Sequence, residues 1–398
     1  MLIAVDEAIW GADHLYSDLG RVRLFPGRSL TPADVADADA LIIRSVTRVG
    51  PDLLADSKVR FVGSTVSGDD HLDLPWLASR GIEVATAAGC NTRTVAEYVL
   101  AALLILAEKH QFALQEKTIG IIGVGRIGGL LASWCEALGL RTLLCDPPRA
   151  LRAATVRERR ETPSAEQSPD RSSNASTAEF FPLDEVLRRS DIVTLHVPLT
   201  RQGPHATLGM INDDAISACK HGLFLINTAR GQIVDEAALI AGITRAQLRA
   251  VIDVWQNEPN INRRLLDCAE LATPHMAGHS AAARRRGAEM IHAALATYPN
   301  RDRERAGIPP IGGMDSQSSA ARRPALPGKS FNWNRLAQAI HPICDLESFD
   351  RRLRAGQPFD QVRSLAASRL EFPEAPAITG LSAPEVALYS LLGLPARG

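Results

Sequence analysis

The chain has 398 residues, of which 45% are hydrophobic and 22% charged, and its formal net charge is −1. That length allows two or three domains, and the charge balance offers nothing to a nucleic acid or an anionic membrane surface. The start, Met1-Leu2-Ile3-Ala4-Val5-Asp6-Glu7, reads as a strand running into acids rather than as a signal peptide, and the longest apolar stretch, Val99 to Ala107, is too short to span a bilayer. The six cysteines are scattered without a Cys-x-x-Cys pair, so reduced core thiols in a cytoplasmic protein are expected.

Up to residue 93, short apolar runs alternate with helical or turn segments. Leu2 to Val5, Ala40 to Ile43, Arg60 to Val62 and Ile82 to Ala85 read as strands, with helices over Pro32 to Ala38 and Leu74 to Arg80. The alternation predicts a parallel sheet. Polar clusters follow the strands: Arg44-Ser45-Val46-Thr47, Gly63-Ser64-Thr65 and Gly89-Cys90-Asn91-Thr92. Open α/β sheets bind ligands beyond such strand ends, and Arg44-Ser45 suits an anion, with ordinary turn chemistry as the plainer alternative. Thr94 to Gln111 is a long apolar helix pattern that leads into a second domain.

That domain opens with the most informative stretch. Thr118 to Ile122 reads as a buried strand, breaks into Gly-x-Gly-x-x-Gly at Gly123, Gly125 and Gly128, and is followed by an amphipathic helix ending at Gly139. A second strand, Arg141 to Cys145, closes on Asp146. Gly123 permits the tight turn, Gly125 lets backbone approach a pyrophosphate, Gly128 lets helix and strand pack closely, and the helix N-terminus favours phosphate. Asp146 is placed for a ribose diol and disfavours a 2′-phosphate, so NAD is expected over NADP. A structural glycine turn is the competing reading, but strand, glycines, helix, strand and acid occur in order.

Further strands are expected at Asp191 to Leu195, Gly222 to Ile226, Arg249 to Val254 and Glu270 to Ala272, completing a doubly wound sheet. Residues 149–178 read as a disordered surface insertion. A helix over Ala281 to Ala296 returns toward the first domain, its Arg284-Arg285-Arg286 run reading as a solvated face. Residues 300–329 are linker-like, and Phe331 to Leu394 regains the periodicity of a small third domain that needs a surface to pack on.

Three ionisable residues follow three strands: Arg230 in Asn227-Thr228-Ala229-Arg230-Gly231, Glu258 in Trp255-Gln256-Asn257-Glu258-Pro259, and His275 in Thr273-Pro274-His275. Each alone could be loop chemistry. Together they suit oxidation of an alcohol: a histidine to take the hydroxyl proton, a carboxylate to orient it, and an arginine to hold a substrate carboxylate. Asp253 is plausible near a nicotinamide, and His71, His196 and His279 are weaker candidates for the base. No His/Cys/Asp cluster has metal-ligand spacing, and hydride transfer needs no metal.

The motifs Gly123-Val124-Gly125-Arg126-Ile127-Gly128, Asn227 to Gly231, Asp253-Val254-Trp255 with Glu258-Pro259, and Thr273-Pro274-His275 make the chain resemble a D-2-hydroxyacid dehydrogenase. Val5-Asp6-Glu7, Pro26-Gly27-Arg28, Arg44 to Thr47, Ala88 to Asn91 and Leu143 to Pro148 bring it nearest, within that superfamily, to the erythronate-4-phosphate dehydrogenases. The resemblance implies two doubly wound parallel-sheet domains, a Rossmann-type NAD domain (94–278) and a flavodoxin-like substrate domain (1–93 with about 279–299). The C-terminal segment (330–398), with Phe359-Asp360 and Arg363, is similar to that family's α+β dimerisation domain. His275 would be the acid/base, Glu258 its partner and Arg230 the carboxylate clamp. Gly123, Gly125, Arg126, Ile127, Gly128, Asp146, Val197, Thr228, Ala229, Arg230, Asp253 and Gly278 would bind NAD, and Ser45, Val66 and His279 the substrate. The implied reaction oxidises C2 of 4-phospho-D-erythronate, in pyridoxal-phosphate biosynthesis. Another D-2-hydroxy acid, or non-catalytic NAD sensing, are the alternatives. Val66, Val197 and His279 depart from the family's Thr, Thr and Tyr.

Overall fold

Short parallel strands with apolar residues on both faces need cover on both sides, and this requirement builds each of the two units into which the chain divides. The computed structural model describes residues 1–151, 179–305 and 331–398, without the side chains of 299–305. One unit comprises residues 1–92 and the chain from 278; the other comprises 93–277 and the C-terminal segment.

In the first unit, β1 (Leu2–Asp6), β2 (Arg21–Phe25), β3 (Ala40–Ile43), β4 (Phe61–Ser64) and β5 (Glu83–Thr86) form a parallel sheet in the order β2-β1-β3-β4-β5. This is the flavodoxin-like order. Ala4, Leu41, Ile43 and Val62 meet Val35, Leu54 and Leu77 on one face, while Ile3, Val5, Ile42 and Phe61 meet Ala288, Ile291 and Leu295 on the other. The second set comes from the helix Ala281–Arg305. It lies so close that a Cβ on Gly63 would come within 2.4 Å of Ile291.

Sequence and structure differ here in three places. β2 is a strand that sequence reading did not expect, although Val22 and Leu24 alternate with Arg21 and Arg23; the arginines punctuate an edge strand, a common protection of exposed edges. The long helix continues beyond Ala296 to Arg305, so residues 300–305 of the expected linker are helical. In the arginine run only Arg285 is exposed: Arg284 donates to Ala8 O (2.8 Å) and Arg286 to Cys90 O (2.9 Å), so two of the three anchor the helix to its own unit.

In the second unit, β6 (Thr118–Ile122), β7 (Arg141–Cys145), β8 (Ile192–Leu195), β9 (Leu223–Asn227), β10 (Leu248–Ile252) and β11 (Leu271–Ala272) are parallel in the order β11-β10-β9-β8-β6-β7. A bridge from Leu144 to Phe180 prolongs the sheet beyond β7. The chain steps outward from β6 to β7 and then restarts at β8 on the other side, which is the doubly wound switch point. The expected insertion at 149–178 lies outside the described residues except for 149–151, which are helical, and the expected linker does so from residue 306. The helix Thr92–Lys109 is buried continuously from Thr94 to Leu106.

The C-terminal segment, expected to be α+β, is helical: Trp333–Cys344, Leu346–Arg354, Phe359–Leu365 and Ala383–Leu392, with one isolated bridge, Ile378 to Ala396. Its apolar residues recur at helical spacing, and Asn332, Asp345 and the Ser382/Glu385 capping box start helices. Leu336, Ile340, Phe372, Leu388 and Tyr389 share one core with Val99, Leu103, Leu131 and Trp134, so the segment completes the second unit.

Two carboxyls sit in that junction. Thr94 Oγ1 donates to Glu371 Oε1 (2.5 Å), and the Phe372 amide donates to Glu97 Oε1 (3.0 Å). Burial, and then the Glu371 charge, raise the Glu97 carboxyl to about 8, against the pull of the Phe372 amide, Arg369 and Arg93. A carboxyl raised in the folded state holds its proton between its unfolded value of 4.5 and about 8, so its contribution to stability is greatest below 4.5 and declines as pH rises to 8. Glu97→Gln should therefore gain stability relative to the native chain as pH goes from 5 to 8, measured by urea unfolding; a pH-independent difference would show that Glu97 is already ionised.

Candidate active site

The turn after β6 depends on two glycines. Gly123 has φ +87°, and a Cβ on Gly128 would lie 2.0 Å from Gly123 O, so only glycine lets the helix Arg126–Ala137 start against the strand end. Gly125, the N-cap, carries no side-chain cap, and its Cβ position is clear of the protein. The first amides of the helix thus face a space where a phosphate can approach. Asp146, at the end of β7, accepts the Val124 amide on Oδ2 (2.8 Å) and the Arg149 amide on Oδ1 (3.1 Å), while the Arg149 guanidinium bonds Val124 O. Val197, beyond β8, packs on Gly123.

Past β9, the buried Asn227 shapes the next loop: its Nδ2 donates to Arg230 O (3.0 Å) and its Oδ1 accepts the Ala229 amide (3.1 Å). Gly231 brings that loop against the backbone of Trp255, where a Cβ would stand 2.3 Å from Trp255 C. The half-buried Arg230 donates to Ala229 O (2.7 Å). Thr228 Oγ1 is buried with no partner among the described residues. A buried hydroxyl without a partner is costly, and together with the clear position at Gly125 it fits a bound dinucleotide. Gly123, Gly125 to Gly128, Asp146, Thr228 to Arg230 and Asp253 would hold it.

Past β10 and β11 lies the most constrained geometry. Asp253 is wholly buried; it accepts Thr273 Oγ1 (2.7 Å) and the Met276 amide (2.8 Å) on Oδ1, and the Ala277 amide (2.9 Å) on Oδ2. Its carbonyl takes the His275 amide (2.6 Å). Tyr98 OH in turn donates to Thr273 Oγ1 (2.6 Å). These bonds hold His275 at φ +53°, a left-handed conformation that a histidine seldom adopts. There His275 Nδ1 lies 2.7 Å from Glu258 Oε2, and Glu258 Oε1 accepts the Trp255 amide (2.9 Å). Burial alone would raise the Glu258 carboxyl, but the His275 charge and hydrogen bond, the Trp255 amide and the Arg363 charge hold it below the usual carboxylate range. An ionised Glu258 requires the proton on His275 Nδ1, which leaves Nε2 for acid/base work.

The weaker histidine candidates have other partners. His71 faces Ser64 Oγ (2.9 Å) in the first unit. Thr194 Oγ1 lies 3.0 Å from His196 Nε2, and burial pushes that imidazole down to about 3, so it stays neutral. Ser45, Val66, Gly278 and His279 belong to the first unit. Ser45 is exposed beside Arg44, whose guanidinium grips the buried Asp6 (2.8 and 3.1 Å). Val66 and His279 are half-buried, and Gly278 packs on Asn91. Sequence reading passed over Tyr98, and gave Thr273 and Trp255 no role beyond their motifs, yet Trp255 Nε1 also fastens Thr273 O (2.9 Å).

Among the described residues no His/Cys/Asp/Glu group could hold a metal, and no helix is long and apolar enough to cross a membrane. Residues 106–277 match the family model for the NAD binding domain of D-isomer specific 2-hydroxyacid dehydrogenases, and the protein is an NAD-dependent dehydrogenase of that class. The chain is 38% identical over 381 residues to the erythronate-4-phosphate dehydrogenase of Cronobacter sakazakii, covering 94% of this chain and 92% of that one. It is 40% identical over 303 residues to the enzyme of that name from Salmonella arizonae, covering 76% and 74%. It belongs to the erythronate-4-phosphate dehydrogenase family. Among solved structures, D-lactate dehydrogenase from Aquifex aeolicus, complexed with NAD and lactic acid, shares the fold: TM-score 0.58 at 22% identity over 77% of this chain and 98% of that one.

Thr228→Val should weaken NADH binding by about two- to tenfold, the value of one hydrogen bond, while leaving the apo protein as stable or more so. Fluorescence titration and thermal melts check both; unchanged affinity would remove Thr228 from the cofactor site.

Proposed function

We propose that the protein oxidises 4-phospho-D-erythronate at C2 to (R)-3-hydroxy-2-oxo-4-phosphooxybutanoate, the dehydrogenase step of a route to pyridoxal 5′-phosphate. Support for the substrate comes from the activity for which the relatives are named, and the observation that carries the chemistry is the 2.7 Å contact between His275 Nδ1 and an ionised Glu258. His275 Nε2 takes the C2 hydroxyl proton, and Glu258 stabilises the imidazolium that results. Arg230 holds the substrate carboxylate by a charge-assisted bond. When bound, NAD supplies the carbon that accepts hydride from C2. On the substrate side, Ser45, Val66, His279 and the Asp6-anchored Arg44 contact the phosphorylated tail, and Gly278 serves the cofactor. Valine at 66 offers no hydroxyl to the substrate, and the neighbouring Ser64, Thr65 and Ser67 bond to His71, Ile43 and Asn91.

NADH formation should be much faster with 4-phospho-D-erythronate than with unphosphorylated D-2-hydroxy acids, and Arg44→Lys should narrow the gap. Equal rates would sink the phosphate reading, and no turnover with any of them would favour an NAD sensor. His275→Ala should lower kcat by about 10²–10⁴-fold, the usual worth of a general base, with NADH affinity unchanged; loss of affinity instead would mean that His275 binds cofactor.

The enzyme works in the cytoplasm as a homodimer joined through the C-terminal segment. Leu365, Leu370 and Leu391, exposed at 45%, 45% and 36%, support that surface. Light scattering after chromatography should give twice the chain mass, and Leu370→Glu should halve it; a native monomer would refute the dimer.

A further inference from the structure

The loop that carries His275 is fastened at both ends to the C-terminal segment. Ahead of the loop, the Ala272 amide donates to Asp350 Oδ1 (2.8 Å). Asp350 is held in turn by Arg354 Nε (2.8 and 3.0 Å), whose terminal nitrogens reach Leu266 O and Ala269 O (2.8 Å each) before β11. Behind the loop, Arg369 Nη2 donates to Ala277 O (2.9 Å) and, at 3.5 Å, to Thr94 O of the helix Thr92–Lys109. Arg369 is only 7% exposed. A guanidinium is costly to bury, and the segment is already seated by Phe372, Leu336 and Tyr389 in the apolar core. The Glu97 carboxyl of the same junction faces this cation, and Arg369 Nη2 is nonetheless turned to the carbonyl two residues beyond His275. Asp253 ties the same loop from within through the amides of His275, Met276 and Ala277, so the strained backbone at His275 is held on two sides.

We infer that Arg369, with Asp350, is a positioning residue for the reaction: the docked C-terminal segment fixes the Thr273–Ala277 loop and thereby keeps His275 in reach of Glu258. The segment is then part of the catalytic apparatus as well as of the core. Arg363, on the helix Phe359–Leu365 of the same segment, adds its charge to those that keep Glu258 ionised.

The inference rests on His275 as the acid/base, so His275→Ala is assayed in parallel: an active His275→Ala enzyme defeats that reading, whereas the inference has its own failure. In the full-length protein, Arg369→Met and Asp350→Asn should each lower kcat on the order of tenfold to a hundredfold, the scale of a displaced catalytic group. KM for 4-phospho-D-erythronate and the NADH Kd should stay within about twofold, because neither residue touches the groups assigned to bind them. Arg369→Lys should recover part of the kcat. The downfield proton resonance of the His275 Nδ1–H···Glu258 bond should weaken in Arg369→Met and persist in the native enzyme. A folded Arg369→Met enzyme with native kcat and an undiminished resonance overturns the inference. So does a loss of kcat matched by an equal loss of NADH affinity, which marks a general structural defect. Should Arg369→Met not fold, Asp350→Asn decides: unchanged kcat in that folded variant overturns the inference.

Discussion

The carboxylate of Asp253 is the constraint on which the rest of the site depends. It is removed from water and satisfied by a hydroxyl and two amides, all from the stretch Thr273 to Ala277. Charge-assisted bonds of this kind offset the cost of burying the charge. What they secure is a backbone that histidine would not otherwise choose, a conformation worth on the order of 1–3 kcal/mol of strain. Only in that backbone does the His275 ring stand beside Glu258. Asp253 therefore acts through the loop's shape, whatever contact the nicotinamide makes.

The sheet explains why such distant residues meet. Because β9, β10 and β11 are parallel neighbours, the chain leaves each at the same edge, and Arg230, Glu258 and His275 emerge side by side. Gly231 then presses the first of these loops on the backbone of the second, and Trp255 pins the second to the third. A polar side chain placed at one strand end is held by the loop that follows the next.

How much of this the sequence disclosed depended on locality. β6 and β7 have the expected limits, since the apolar residues ending at Ile122 and Cys145 stop against Gly123 and Asp146. The glycine turn was readable because the positive φ of Gly123 and the contact of Gly128 with Gly123 O are both set within six residues. β2 was missed although Val22 and Leu24 alternate with its arginines, since an edge strand with only Phe25 buried lacks a continuous apolar run. Arg284 and Arg286 were misjudged because their partners, Ala8 and Cys90, lie far away in the chain. Asp350 and Arg369 were illegible for the same reason: nothing near either residue announces a bond to Ala272 or Ala277. The α+β expectation for the C-terminal segment came from resemblance, and its own helical periodicity and caps were the better guide.

The apolar cores of the two units share no residue. Val66 and His279 both lie in the unit that holds none of Arg230, Asp253, Glu258 or His275. Each unit carries its own apolar core, so a substitution in one acts first on the packing of that unit.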